Sequence, residues 1–215
     1  MKLALQCDFD GTITEEDVSF LLLDTFVGDK WREMLSEYTS GKIPVGAFNK
    51  KVFSLVTADE KTQLDVIFTS DRVKIRPGLK ELVAYCQDKG HRLLIVSNGL
   101  IFYIRALLES LGLNGVEVFA ARNEFHPGGM KVSYISPDGK ELDAGFKEAY
   151  TRLLRQEGYD VAYVGNGVSD IFSSRLASKV FATGDLLSKC REEYLACVPF
   201  DDLFDVIRGL EDFTG

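Results

Sequence analysis

The chain has 215 residues, 33 acidic and 25 basic side chains, a formal net charge of −8, and a composition that is 46% hydrophobic and 27% charged. That is enough apolar material to bury one sizeable core without disulfides, and too much for long disorder. The net negative charge and the scatter of the lysines and arginines argue against nucleic acid as a partner, while the lack of a membrane-length apolar run or a signal-peptide pattern leads us to expect a cytoplasmic protein.

The first element in chain order is a short apolar run, Leu3 to Cys7, which reads as a buried strand. Thr14 and Asp17 resemble a capping box opening a helix in which Val18, Leu21, Leu22 and Phe26 share a face. Three more helices are expected, roughly Trp31 to Thr39, Val45 to Val56 and Ala58 to Ser70, with little strand signal between them. Arg76-Pro77-Gly78 then punctuates the chain before a helix whose Leu79, Leu82, Val83 and Cys86 recur at helical spacing. A strand over Arg92 to Val96, a helix over Leu100 to Leu111, and strands over Val116 to Phe125 and Met130 to Ile135 follow. A helix from Phe146 to Gln156, a strand from Val161 to Val164, a helix from Val168 to Ala177 and a strand from Val180 to Ala182 continue the alternation. The tail from Asp201 to Phe213 reads as an amphipathic helix, its apolar residues being Leu203, Phe204, Val206, Ile207 and Leu210. Alternating strands and helices of this kind predict an α/β fold with a parallel sheet covered on both faces.

In such a sheet ligands bind beyond the carboxyl ends of the strands. Three apolar runs and one helix start end there in chemistry: Asp8-Phe9-Asp10-Gly11-Thr12, Ser97-Asn98-Gly99, Gly145-Phe146-Lys147, and Gly165-Asn166-Gly167-Val168-Ser169-Asp170. Two carboxylates about 4 Å apart repel by roughly 4 kcal/mol at an effective dielectric of about 20, a penalty that a divalent cation removes. Mg2+ favours hard oxygen donors and joins protein carboxylates to a substrate phosphate. Lys147 neutralises further negative charge, with Lys131 and Lys140 as its competitors, and the glycines let backbone N–H groups approach phosphate oxygens. The ensemble fits phosphoryl transfer. The cysteines, Cys7, Cys86, Cys190 and Cys197, lack zinc-site spacing, and His91 and His126 stand beside no plausible nucleophile.

DFDGT at Asp8 to Thr12, the run closing in Ser97, Lys147, and GNGVSD at Gly165 to Asp170 together resemble the four ordered motifs of the haloacid dehalogenase superfamily of phosphatases. The resemblance spans nearly the whole chain. RPGLKEL at Arg76 to Leu82 is similar to the phosphoserine-phosphatase branch, and GDLLSKCREEYLACVPFDD at Gly184 to Asp202 looks like its methionine-salvage members, which act on 2-hydroxy-3-keto-5-methylthiopentenyl-1-phosphate. The resemblance implies a Rossmann-like core over residues 1–14 and 74–215, and a small helical cap over 15–73 inserted after the first strand. It further implies an enzyme for a small phosphorylated metabolite, monomeric or homodimeric, with Asp8 as nucleophile and Asp10 as proton donor. Lys147 would stabilise charge, Thr12, Ser97, Asn98 and Gly99 would bind the substrate, and Asp8, Asp10, Asn166 and Asp170 would hold Mg2+.

One position departs from the pattern. The fourth motif usually opens with an aspartate where this chain has Asn166, whose amide oxygen binds Mg2+ without bringing charge. A weakened phosphate-ester-binding protein therefore stands beside hydrolysis as an alternative; transfer of the phosphoryl group to an acceptor other than water is a further reading that fits the same residues. Asp17, Phe20, Arg32 and Phe48 are candidates for lining the cap side.

Overall fold

The computed structural model describes residues 2–214. Its centre is an eight-stranded sheet of β1 (Leu3–Cys7), β2 (Arg92–Leu100), β3 (Glu117–His126), β4 (Gly129–Ile135), β5 (Glu141–Leu142), β6 (Asp160–Gly165), β7 (Lys179–Ala182) and β8 (Val198–Pro199). The spatial order is β5-β4-β3-β2-β1-β6-β7-β8. All pairs from β3 to β8 are parallel, and β4 and β5 add an antiparallel edge. β1, buried along its whole length, lies between β2 and β6, as its unbroken apolar character predicts.

Chain order runs outward in one direction through β1, β2 and β3, and in the other from β6 to β8. Right-handed crossovers then place the connecting helices on opposite faces, and the order reverses between β1 and β6. The crevice beyond the carboxyl ends of β1 and β6 is thus the natural ligand position for this topology.

The helices are α1 (Val18–Phe26), α2 (Lys30–Thr39), α3 (Val45–Phe53), α4 (Glu60–Thr69), α5 (Leu79–Asp88), α6 (Ile101–Ser110), α7 (Phe146–Gln156), α8 (Ile171–Ser174), α9 (Gly184–Glu192) and α10 (Leu203–Thr214). The periodic residues of α5 all turn inward. Helices α1 to α4 form one excursion that leaves and re-enters the sheet through adjacent segments: Thr14 bridges Ile75, Glu15 N–H donates to Lys74 O at 2.9 Å, and Arg76 N–H to Ile13 O at 2.7 Å. Its α3 packs on β4, joining Phe48, Val52 and Phe53 to the main hydrophobic core.

Several local expectations are corrected. Asp17, not Thr14, caps α1, its Oδ1 accepting from Phe20 N–H at 3.0 Å; the Thr14 hydroxyl instead donates to Glu16 O at 2.7 Å. The expected helix over Val168 to Ala177 is a single 3-10 turn, Val168–Asp170, followed by the short α8, because the Asp170 side chain folds back onto the amides of Asn166 and Gly167. The strand at Met130 to Ile135 is antiparallel, paired with β3 through a tight hairpin. Phe204 of α10 stays 37% exposed. No helix among the described residues is long and apolar enough to cross a membrane, and the four cysteines are free thiols.

Candidate active site

β1 delivers Asp8 to the rim by staying in register with β6 to its last residue, where Asp8 N–H donates to Val164 O at 2.9 Å. The chain then turns so that Asp8 Oδ1 accepts from Phe9 N–H at 2.8 Å and Oδ2 faces Lys147 Nζ at 2.7 Å. Lys147 stands on the first turn of α7, so it reaches the site from a helix start rather than from a strand end. Gln6 places that turn: its amide Nε2 donates to Lys147 O at 2.9 Å, and its Oε1 accepts from Thr151 Oγ1 at 2.9 Å. A glutamine inside the apolar run LALQC is thus a docking point for α7, and its polarity in a buried strand was the available signal. Lys131 and Lys140 pair with Glu124 and Asp138 on the surface.

Asp170 is completely buried, and four donors engage its carboxylate. Lys147 Nζ and Tyr163 OH each reach Oδ1 at 2.6 Å, and the N–H groups of Asn166 and Gly167 reach Oδ2 at 3.1 and 2.8 Å. Expected as a metal ligand, Asp170 holds Lys147 and shapes the loop after β6. Thr12, expected to contact substrate, is also buried and donates from Oγ1 to Asn166 Oδ1 at 2.9 Å. Gly11 has φ +71°, and a Cβ there would meet Asn166 Nδ2 at 2.1 Å, so only glycine lets the two loops meet. Arg76 locks the same loop by donating to the carbonyls of Thr12 and Gly11 at 2.8 and 3.0 Å.

The Asp10 side chain points away from Lys147: Oδ1 accepts from Val18 N–H at 3.0 Å and Oδ2 from Tyr103 OH at 2.5 Å. Burial, reinforced by Asp17 and Asp8, pushes the Asp10 carboxyl well above its usual range despite the Tyr103 hydrogen bond. Burial also raises Asp8 to about 7, with Lys147 opposing it. Burial alone would lower the Lys147 ammonium, but Asp170 and Asp8 outweigh that effect and raise it. Burial thus favours the neutral form of Asp10, whereas the Lys147 cation beside Asp8 favours the ionised form, the kind of division that an acid and a nucleophile require.

Ser97 Oγ accepts from Gly99 N–H at 3.0 Å, and Asn98 Nδ2 donates to Ser169 Oγ at 3.3 Å. The main-chain oxygen of Asn98 accepts from Asn49 Nδ2 of α3 at 3.0 Å and from Tyr134 OH at 2.7 Å, which joins the helical excursion to the end of β2. A cavity of about 540 Å3 lies between the two parts, floored by Asp8, Asp10, Ser97, Asn98, Gly99, Lys147 and Asn166. Phe20, Leu23, Leu35, Tyr38, Val45 and Phe48 form its opposite wall, and Asp17 and Arg72 also line it. Three of the four lining candidates read from the sequence are there. Arg32 is not among them: it pairs with Asp24 at 2.8 Å.

Among the described residues no three His, Cys, Asp or Glu side chains gather as a metal cluster. Of the residues expected to hold Mg2+, Asp8, Asp10 and Asn166 line the cavity, offering carboxylate, carbonyl and amide oxygens, while Asp170 is not among its lining residues. That set is hard, free of nitrogen and sulfur, and suited to Mg2+ in the one- or two-carboxylate arrangement that leaves room for substrate phosphate.

The family model for haloacid dehalogenase-like hydrolases matches residues 5–172. The chain is 30% identical over 214 residues to the 2-hydroxy-3-keto-5-methylthiopentenyl-1-phosphate phosphatase of Geobacillus kaustophilus (strain HTA426), covering 98% of this chain and 96% of that protein. It is 29% identical to the protein of the same name from Brevibacillus brevis (strain 47 / JCM 6285 / NBRC 100599), with coverage of 98% and 96%. Among solved structures, a substrate-bound phosphoserine phosphatase superposes with a TM-score of 0.71 at 21% identity, covering 97% of this chain and 98% of that one, which shows the shared fold.

Proposed function

The chain belongs to the haloacid dehalogenase-like hydrolase family and is a phosphatase, and from that premise we propose that it hydrolyses a small phosphate monoester, with Mg2+, through an aspartyl-phosphate on Asp8. The observation that carries the reading is the unequal pair in one cavity: Asp8 2.7 Å from the Lys147 ammonium, and Asp10 turned instead to Val18 N–H and Tyr103 OH, its carboxyl pushed up by burial.

In the first half-reaction an Asp8 carboxylate oxygen attacks phosphorus, the phosphorus–ester oxygen bond breaks, and Asp10 gives its proton to the departing alkoxide. In the second half-reaction Asp10, now ionised, takes a proton from water as the water oxygen attacks phosphorus. The phosphorus–Asp8 bond then breaks, releasing inorganic phosphate and restoring both side chains. Lys147 stabilises negative charge on the phosphoryl oxygens, with Ser97 and the amides after it as further donors. Mg2+, held by Asp8, the Asp10 carbonyl and Asn166, would supply the remaining charge neutralisation. Residues 15–73 act in this reading as the cap and residues 1–14 and 74–215 as the core, with the cap excluding water and contacting the leaving group.

For the substrate we favour an ester with an apolar tail, because the cap wall is built from Phe20, Leu23, Leu35, Val45 and Phe48. The methylthio end of 2-hydroxy-3-keto-5-methylthiopentenyl-1-phosphate meets that requirement. Phosphoserine would need partners for an ammonium and a carboxylate, and Arg72, the cation on that side of the cavity, already pairs with Glu16 at 2.8 Å and Asp24 at 3.0 Å. Purified protein assayed with Mg2+ against a panel of phosphorylated metabolites tests the reading. Asp8→Asn should lower turnover at least about 1,000-fold, and activity that survives this change refutes Asp8 as nucleophile. A second reading, ester binding without turnover, rests on Asn166 and predicts saturable binding with no phosphate released from any member of the panel.

A further inference from the structure

We infer that Tyr103 is a positioning residue that orients the acid Asp10 and makes its orientation depend on how α1 is seated; the inference rests on Asp10 being the proton donor of the reaction above. Tyr103 lies on the first turn of α6 and is completely buried. Its hydroxyl donates to Asp10 Oδ2 at 2.5 Å and lies 2.9 Å from Ser19 Oγ in α1. A phenol has one proton to give, so with that proton on Asp10 the Ser19 hydroxyl is the donor to the Tyr103 oxygen. The other oxygen of Asp10 is held by the N–H of Val18, the residue that begins α1.

Both oxygens of the acid thus depend on the first turn of one helix, Oδ1 directly and Oδ2 through Tyr103. The surrounding packing preserves this contact. A Cβ at Gly99 would lie 2.1 Å from Asp10 Oδ2 and 2.1 Å from Tyr103 OH, so the end of β2 is shaped around the hydrogen bond. Phe102 and Phe9 pack against the Tyr103 ring, with centroids 5.4 and 6.3 Å away. A phenylalanine would fill nearly the same volume without a buried hydroxyl to satisfy, so packing alone gives no reason for the oxygen. Displacing α1 withdraws Val18 and Ser19 together and frees the carboxyl to rotate about its χ angles. The acid is set for proton transfer only when α1 sits where it does here.

The test is the dependence of rate on the leaving group. β-Glycerol phosphate expels an alkoxide that needs a proton, whereas p-nitrophenyl phosphate expels a phenolate that leaves largely unaided. Tyr103→Phe should lower the ratio of kcat on β-glycerol phosphate to kcat on p-nitrophenyl phosphate about 10- to 100-fold, part of what general-acid catalysis contributes. Ser19→Ala should lower the same ratio about 3- to 10-fold. Equal losses on both substrates, or no change in the ratio, overturn the inference while leaving the hydrolase reading intact. If Tyr103→Phe does not fold by circular dichroism, Ser19→Ala decides alone by the same criterion. A wild-type protein that releases phosphate from neither compound and from no member of the metabolite panel overturns the hydrolase reading, and this inference with it; where a panel ester is turned over and β-glycerol phosphate is not, that alkyl ester takes its place in the ratio.

Discussion

Lys147 Nζ lies 2.6 Å from Asp170 Oδ1, with the two side chains 4% and 0% exposed. A cation this deeply buried is tolerated because Asp8 balances it on the other side, and Tyr163 and two amides complete the shell around Asp170. The arrangement fixes Lys147 before any ligand arrives.

Removing one partner should therefore destabilise the whole fold. Asp170→Ala leaves buried Lys147 with Asp8 as its acidic partner on one side and an unfilled position on the other, and it strips three further donors of their acceptor. We expect a loss of about 3–5 kcal/mol, read from the urea unfolding midpoint. A change below about 1 kcal/mol would place this pair among the weakly coupled surface bridges instead.

Stability should also fall with rising pH in the absence of divalent cations. Asp8 and Asp17 are raised from 3.8 to about 7 and about 6, and Asp10 is also raised well above its usual range, each chiefly by burial. The folded state thus keeps protons that the unfolded chain has already released. Their contribution is fully present below about pH 4 and is lost as pH climbs through the folded values. Asp10→Asn removes one such group, with Oδ1 still able to accept from Val18 and Nδ2 able to donate to the Tyr103 oxygen. The melting temperature of the variant minus that of the wild type should therefore increase from pH 4.5 to pH 7.5. A difference independent of pH would show that Asp10 ionises normally.

Asn166→Asp should tighten Mg2+ binding by adding a carboxylate to a donor set that has one near the cation. We expect the dissociation constant to fall about 10-fold by isothermal titration calorimetry, corresponding to about 1.4 kcal/mol. Unaltered affinity would remove Asn166 from the ligand set.

Gly99→Ala should disturb the acid without touching Asp8. Its new methyl would displace Tyr103, Asp10 or the end of β2, at about 1–3 kcal/mol of stability. Turnover of alkyl phosphates should drop more than 10-fold, and wild-type rates in this variant would show that the strand end yields freely.

Some of the missing detail had a faint local trace. Gln6 stands out as the polar residue of a buried strand, yet only the fold shows that it docks α7 through Lys147 O and Thr151. The chain from Gly184 to Glu192 carries just two residues that become fully buried, Leu186 and Cys190, too thin a stripe to announce a helix, and β8 is two residues long. Thr14 and Asp17 both satisfy the composition of a helix cap. The choice between them depended on Thr14 being drawn into the bridge to Ile75 and the turn after Asp10.

What the amino-acid order determined by itself was everything that rests on periodicity and on strand ends. The buried β1, the inward face of α5, the α7 boundaries from Phe146 to Gln156, and the acids, lysine and glycines of the rim all follow from neighbours within a few residues. Tertiary structure alone decided which of those groups face the cavity and which support it. Asp170 and Thr12 turned inward to hold Lys147 and Asn166, while Tyr103 and Tyr163 joined the site from positions that read as ordinary core aromatics. The reason is separation along the chain: Tyr103 meets Asp10 across 93 residues and Thr12 meets Asn166 across 154, and no local pattern encodes a hydrogen bond that exists only once the sheet has brought its strands together.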